Sequence, residues 1–472
     1  LLGVECRVTE FEEQTMKPAF EKLPERLFRV CLVFSVICVS VLYGMFAQKK
    51  NWPPAPQFRT AYNVLFVYEA LSRKARAYRQ HLQPSRGQGD GVMVNEHPDR
   101  QDTILLMGYF EGENQARLVK RDGSVIRKWT LDYFQHYPDV QDRPCAHLTA
   151  PLLTDVHGAL LTPKGELVFN YEYCGTVKLD QCSNLLWRLD EKTHHSMVAS
   201  ETGGYLTLGR NVWNAAEVVD RFPPFSTPAT NDLIWEDVVL RLDDNGQVLE
   251  RVSIPGMIMD SGLTALLTAN NEEITSAKVV RNELLHSNKI DELPSELAEQ
   301  FPIFNAGDWV ISMRGLNLVI VVDPASRVVK WHQTGPWIRQ HDPEFRPDGK
   351  ISIFNNNAYL TSYDKHKKTR LAAPRDTNIV IIDPVTRETE VVFGNKPGQE
   401  MLSVIRGQHE VLEDGGLLIT EFDAGRVLEV DGAGNVTWEY INKYDAEFVG
   451  EITNAKLYPL SYFETDWKEC MQ

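Results

Sequence analysis

Leu118-Val-Lys-Arg-Asp-Gly-Ser-Val-Ile-Arg-Lys-Trp129 reads as an apolar strand, an Asp-led turn and a second strand closing on tryptophan. The unit returns as Val177-Lys-Leu-Asp-Gln-Cys-Ser-Asn-Leu-Leu-Trp187 and Leu240-Arg-Leu-Asp-Asp-Asn-Gly-Gln-Val-Leu-Glu250. It returns again as Val321-Val-Asp-Pro-Ala-Ser-Arg-Val-Val-Lys-Trp331, Ile381-Ile-Asp-Pro-Val-Thr-Arg-Glu-Thr-Glu-Val391 and Leu428-Glu-Val-Asp-Gly-Ala-Gly-Asn-Val-Thr-Trp438. A second unit, opening on histidine, lies between these copies. His157, His195, His341 and His409 each begin a hairpin, and His286 begins a stretched version that reaches Arg314. Two hairpins make a four-stranded blade, so six repeats predict an all-β chain, a six-bladed β-propeller over 101–472 with an insertion at about 255–306.

Blades are related by rotation about a central channel, so positions in equal phase form a ring. On that ground His157, His195, His286, His341 and His409 are expected to converge on one axial pocket. Imidazoles there can attack, carry protons, bind an anion or hold a metal. A ring poor in carboxylates suits a sulfuryl or phosphoryl group; the plainer alternative is that each histidine donates to a neighbouring blade. No CxxC or His/Cys zinc spacing occurs, and neither a metal nor a cofactor is expected.

Charge and hydropathy set the surroundings. The 472 residues carry 49 Lys+Arg and 65 Asp+Glu, a net charge of −16. The first 100 residues are net positive, so the body is acidic and would repel a phosphate backbone, which argues against nucleic-acid binding. Val30–Ala47 is 18 residues without a charge, enough for one membrane-spanning helix. The expected layout is a cytoplasmic segment 1–26, a transmembrane helix 27–48, and a juxtamembrane helix with a polar linker over 49–100. Basic residues before the span (Lys17, Lys22, Arg26, Arg29) outnumber those just after it (Lys49, Lys50, Arg59). That bias places the propeller on the periplasmic or extracytoplasmic side of a single-pass anchor. A disulfide between Cys174 and Cys182 would suit such a compartment, two free thiols being the alternative.

Three motifs carry a family resemblance: Thr193-His194-His195-Ser196; Gln340-His341-Asp342 with Pro347-Asp348-Gly349 and Phe354-Asn355-Asn356; and Gln408-His409 with Asp414-Gly-Gly-Leu-Leu-Ile-Thr-Glu421. In order and spacing, over about 101–463, they resemble bacterial arylsulfotransferases of the propeller type. The resemblance implies a periplasmic enzyme that moves a sulfuryl group from a phenolic sulfate donor to a phenolic acceptor. It would work through a sulfohistidine, without a nucleotide sulfate donor. It assigns the attack to His409, with His341 and His195 flanking the sulfuryl group or carrying the phenol proton, and His157 and His286 binding substrate. The sequence departs from the family where an arginine that clamps sulfate should follow Phe354; Asn355-Asn-Asn-Ala-Tyr-Leu360 stands there, and Arg370 or Arg375 would have to supply the charge. The alternative reading is therefore a catalytically inactive propeller, an accessory or structural subunit of a membrane protein assembly.

The other features read blandly. Trp129, Trp187, Trp331 and Trp438 suit inter-blade core, and the Asp-rich turns need only turn chemistry.

Overall fold

The computed structural model describes residues 23–50, 52–53, 81–86, 89–139, 145, 153–214, 233–268, 283, 285–360, 371–372, 376–464 and 467. It divides into two units, 1–75 and 76–472. In the first, Leu23–Lys50 is a single α-helix. Its stretch Leu27–Ala47 has mean hydropathy 2.5 over 21 residues. At about 1.5 Å per residue that is roughly the 30 Å of a bilayer core. Apolar side chains stand exposed all round it (Leu27, Phe28, Val33, Phe34, Val41, Leu42), the pattern of a helix that meets lipid on every side. An anchor and a signal sequence share this pattern.

The second unit is the six-bladed β-propeller that the repeats predict. Blade 1 is Ile452–Pro459, Asp102–Phe110, Glu113–Lys120 and Val125–Thr130; blade 2 is Val156–Leu161, Leu167–Tyr171, Gly175–Leu179 and Leu185–Leu189. Blade 3 is His194–Ala199, Tyr205–Asn214, Leu233–Leu242 and Val248–Ser253; blade 4 is Ser287–Glu292, Trp309–Met313, Leu318–Asp323 and Val328–Thr334. Blade 5 is His341–Phe345, Ile351–Asn355, Asn378–Ile382 and Thr389–Phe393; blade 6 is Gln408–Val411, Leu417–Glu421, Arg426–Val430 and Val436–Ile441. All pairings within blades are antiparallel. The first-named strands touch one another from blade to blade in a closed ring, and so line the axis. Burial follows: in blade 2 the inner three strands are buried throughout, while Leu185–Leu189 is half-exposed.

The core is not one mass but six apolar layers, one between each pair of adjacent blades. Each is built from the alternate residues of facing strands, which is why the strands read as near-continuous apolar runs. The Asp-led turns have one cause. Asp122, Asp180, Asp243, Asp323, Asp383 and Asp431 each accept, through Oδ1, the backbone N–H two residues on, at 2.8–2.9 Å. The closing tryptophans then tie a blade to the turn of the next. Trp129 Nε1 donates to Asp180 O, Trp187 to Asp244 O, and Trp438 to Arg121 O across the closure, at 2.8–2.9 Å.

Several sequence expectations are corrected. The polar linker expected within 49–100 is not only linker: Gly91–Asn95 pairs with Val436–Ile441 as a fifth strand of blade 6, and Leu82–Pro84 pairs with Phe448–Gly450. The alternation Val92–Val94 was too short to stand out between glycines. The stretch 255–306 is not one excursion either. It contains short helices Ile254–Asp260 and Thr264–Thr268 between blades, then Ser287–Glu292, the axial strand of blade 4, then a connection to Trp309. The expected juxtamembrane helix falls mostly outside the described residues. Cys174 bonds Cys145, not Cys182. Cys182 is disulfide-bonded too, but not to Cys174.

Candidate functional site

Every axial strand starts at the same end of the channel, so its first residues gather there. In five blades the pairing of this strand slips by a bulge just after it starts, as between His157 and Ala159 or His341 and Glu344. A bulge bends the strand and re-aims a side chain. Gly158, at φ 61°, shows how tight this end is: a Cβ there would run into the His195 carbonyl.

His195 is the hub. Its ring centroid lies 4.5 Å from His157, 5.1 Å from His194, 5.3 Å from His286 and 6.3 Å from His341, against which it stacks. Four of the five histidines expected to converge therefore do so, and His194 joins them. The fifth does not. The axial strand of blade 6 runs in unbroken register, and His409, opposite Ile419, turns its ring into the layer between blades 5 and 6. There Nε2 meets Ser352 Oγ at 2.7 Å, and Asp342 Oδ2 accepts the His409 backbone N–H at 2.6 Å.

The expectation of few carboxylates is corrected as well. Glu172 accepts from His157 Nδ1 at 2.9 Å and lies 3.3 Å from His195 Nδ1; Glu283 lies 2.8 Å from His286 Nδ1. Burial pushes the Glu172 carboxyl up, but its bond to His157 and the charges of His157 and Arg406 hold it well below the usual range. His157, Glu172 and His195 are close enough to share a cation. Arginines gather at the same end. Arg314 follows the second strand of blade 4, and Arg339 and Arg406 lie in the lead-ins to His341 and His409. Arg406 Nη2 is 3.2 Å from Asp155. Burial first, then the Arg314 charge, holds His341 well below the ordinary imidazole value, and both depress His286. Burial and the surrounding imidazoles do the same to His195. Burial thus favours the neutral imidazole at His195, His286 and His341, and guanidinium groups stand beside them, a setting in which a bound anion finds positive charge.

His341 has the most defined state. Its Nδ1 faces Asn356 Oδ1 at 2.6 Å and Arg339 O at 3.2 Å, while Nε2 is buried with no hydrogen-bond partner among the described residues. A ring whose Nδ1 carries the proton leaves a bare lone pair on Nε2, which can attack an electrophile.

Arg370 and Arg375 lie outside the described residues. Sequence reading missed Glu172, Arg314 and Asn356, although they obey one rule: each directly follows a second strand, in blades 2, 4 and 5. Second strands end where axial strands begin, so that position faces the site. A cavity of about 370 Å³ starts at His157, His195 and His341 and runs along the axis past Lys289 and Glu344 to the exposed Glu296.

The family described as arylsulfotransferase (ASST) matches residues 155–443, more than half of the chain, including the histidine cluster. The chain belongs to the arylsulfotransferase family. Among solved structures it is similar to a protein of unknown function from Bacteroides caccae: 12% identity, 75% of this chain and 98% of that one, TM-score 0.46. It is also similar to TolB from Acinetobacter baumannii (10% identity, 83% and 69%, TM-score 0.39) and to a catalytically inactive virginiamycin B lyase from Staphylococcus aureus with quinupristin (11% identity, 62% and 72%, TM-score 0.34). No curated protein matches the chain.

Proposed function

We propose that this arylsulfotransferase-family propeller transfers a sulfuryl group from a phenolic sulfate to a phenol, with His341 as the nucleophile. The observation that carries the reading is the His341 Nε2 lone pair, without a partner among the described residues at the head of the cavity. His341 Nε2 bonds to sulfur as the bond from sulfur to the aryl oxygen breaks, and the phenolate leaves. The sulfohistidine keeps its Nδ1–H on Asn356, and Arg314 balances the sulfuryl oxygens. In the second half the acceptor oxygen attacks sulfur and frees the ring; His195 takes the acceptor's proton and passes it to solvent, where the released phenolate takes one up. Resemblance assigns the attack to His409; geometry favours His341, because the His409 Nε2 is taken by Ser352. His409 then supports Asp342 from behind.

The Cys145–Cys174 disulfide supports an extracytoplasmic propeller, since such bonds persist in oxidising compartments. The test uses the full chain in detergent, with 4-nitrophenyl sulfate and a phenol acceptor. Acceptor-dependent release of nitrophenol should vanish in His341→Ala and persist, reduced, in His409→Ala. The reverse pattern returns the attack to His409. Absence of release from folded wild type favours the accessory reading, which the amide-only turn Asn355-Asn356-Asn357 suits.

A further inference from the structure

Beyond the histidines the cavity changes character. Further along the same axial strands, Lys289, Asp291, Asp342, Glu344, Glu410 and Lys456 line it, four carboxylates against two ammonium groups. Lys289 is committed to two of them, 2.7 Å from Asp342 Oδ1 and 3.3 Å from Glu344 Oε1. Glu344 also accepts the Val411 N–H at 3.0 Å, and Glu410 Oε2 accepts the Leu457 N–H at 2.7 Å. Neither Glu410 nor Asp291 forms an ion pair with a lysine or arginine among the described residues, and burial pushes both carboxyls up to about 7, a shift that a bound cation would oppose.

Two lining amides add acceptors without donors. Asn288 and Asn454 are buried, and the Oδ1 of each lacks a partner among the described residues. Their orientation is fixed: Asn288 Nδ2 donates to the Gln340 carbonyl at 2.8 Å, and Asn454 Nδ2 donates to Gln408 Oε1 at 3.1 Å. Gln408 in turn spends its own N–H on Ala455 O. This half of the cavity therefore has surplus acceptors and two carboxyl groups with no cation of their own, and a donor-rich cation would satisfy both. A bare divalent ion fits poorly beside Lys289 and Lys456; an ammonium group with several N–H donors fits both needs.

We propose that the far half of the axial cavity is an ammonium subsite, and that the substrates are phenols bearing a short alkylammonium arm. The histidine end, backed by Arg314, Arg339 and Arg406, takes the sulfuryl group, and the acidic end takes the cation. A cavity with opposite charge at its two ends selects a ligand with the same separation. Its volume, about 370 Å³, holds one such molecule. The word substrate rests on the transferase reading; the ammonium subsite does not.

The test is calorimetric titration of the full chain in detergent with tyramine and with 4-ethylphenol, which differ in the ammonium group. Tyramine should bind about tenfold tighter or more, the worth of one charge-assisted hydrogen bond. Asp291→Asn with Glu410→Gln should erase most of that advantage while keeping the acceptor oxygen for Leu457. Equal affinity of wild type for the two phenols overturns the proposal, whether or not the variant folds. Equal kcat/KM for both as sulfuryl acceptors also overturns it and leaves the transferase reading standing. Tighter tyramine binding without turnover of any aryl sulfate keeps the subsite and removes the transferase.

Discussion

The amide of Asn356 donates to two main-chain carbonyls, Ser403 O at 2.8 Å and Arg406 O at 2.7 Å. Carbonyls only accept, so the Asn356 Oδ1 is left to take the His341 Nδ1–H, and the tautomer of the ring follows from backbone geometry two loops away. Asn356→Ala should let the proton move to Nε2 and lower turnover about 10- to 100-fold, the usual cost of losing such an orienting partner. Nitrogen-15 shifts of the imidazole check the tautomer directly, and unchanged shifts would remove the lock. Asn356→Asp tests the sign of the electrostatics. In wild type, burial and the Arg314 charge keep the His341 pKa well below its ordinary 6.5, so the active neutral ring persists as pH falls from 7 to 6 and the rate stays flat. A carboxylate at 356 raises that pKa, and the acid loss of rate should move up toward neutrality.

At the scale of the elements, tryptophan and the Asp-led turn are one device, since the indole of one blade caps the turn of the next. Trp438 Nε1 donates to the Arg121 carbonyl, whereas Trp331 Nε1 has no acceptor among the described residues and instead lies 5.6 Å under the Arg387 guanidinium. Trp438→Phe should therefore destabilise by about 0.5–1.5 kcal/mol, the net worth of one hydrogen bond, since Asn95 still donates to that carbonyl, and Trp331→Phe by clearly less. Urea unfolding of the pair decides it; equal losses would mean that packing alone holds the blades. The same device made the fold legible, because turn, strand and Trp recur in the chain without any long-range information. The site was only partly legible. His157, His195 and His341 each stand eight residues before the glycine of their turn (Gly165, Gly203, Gly349), but His409 stands six before Gly415. With a bulge in the first three strands and none in blade 6, the His409 ring is held against Ser352 of blade 5 and not stacked with the others. Glu172 and Asn356 were invisible for another reason: only folding shows that the end of a second strand faces the start of the first.

Over the whole molecule, the ring is closed from both ends of the chain. Ile452–Pro459 supplies the axial strand of blade 1, and Gly91–Asn95 supplies the outer edge of blade 6. Polar clamps reinforce the seam. Arg121 of blade 1 is buried against Glu429 of blade 6, and Arg100 reaches Glu429 at 2.6 Å and Asp102 at 2.5 Å. His81 sits 2.7 Å from Glu451, and burial, which would lower its pKa, is outweighed by that carboxylate, which raises it. These groups bind the segment 81–100 to the last blade, so it works as a fastener. A linker has no such duty, and the two roles part company under replacement. Exchanging residues 82–95 for a glycine–serine run of equal length, in the full chain, keeps the reach and removes the strands. A linker would tolerate that change without loss of stability. A fastener should not: the edge of Val436–Ile441 becomes exposed, the Asn95 donor to Arg121 O is lost, and Val92 leaves the layer between blades 6 and 1. Losing one apolar side chain and one hydrogen bond costs about 2–4 kcal/mol, so the melting temperature should fall by several degrees. Because the seam joins the first and last blades, its opening should also raise hydrogen exchange in Asp102–Phe110 and Arg426–Val430 ahead of blades 3 and 4. Uniform exchange around the ring would show that closure rests on the axial strand alone.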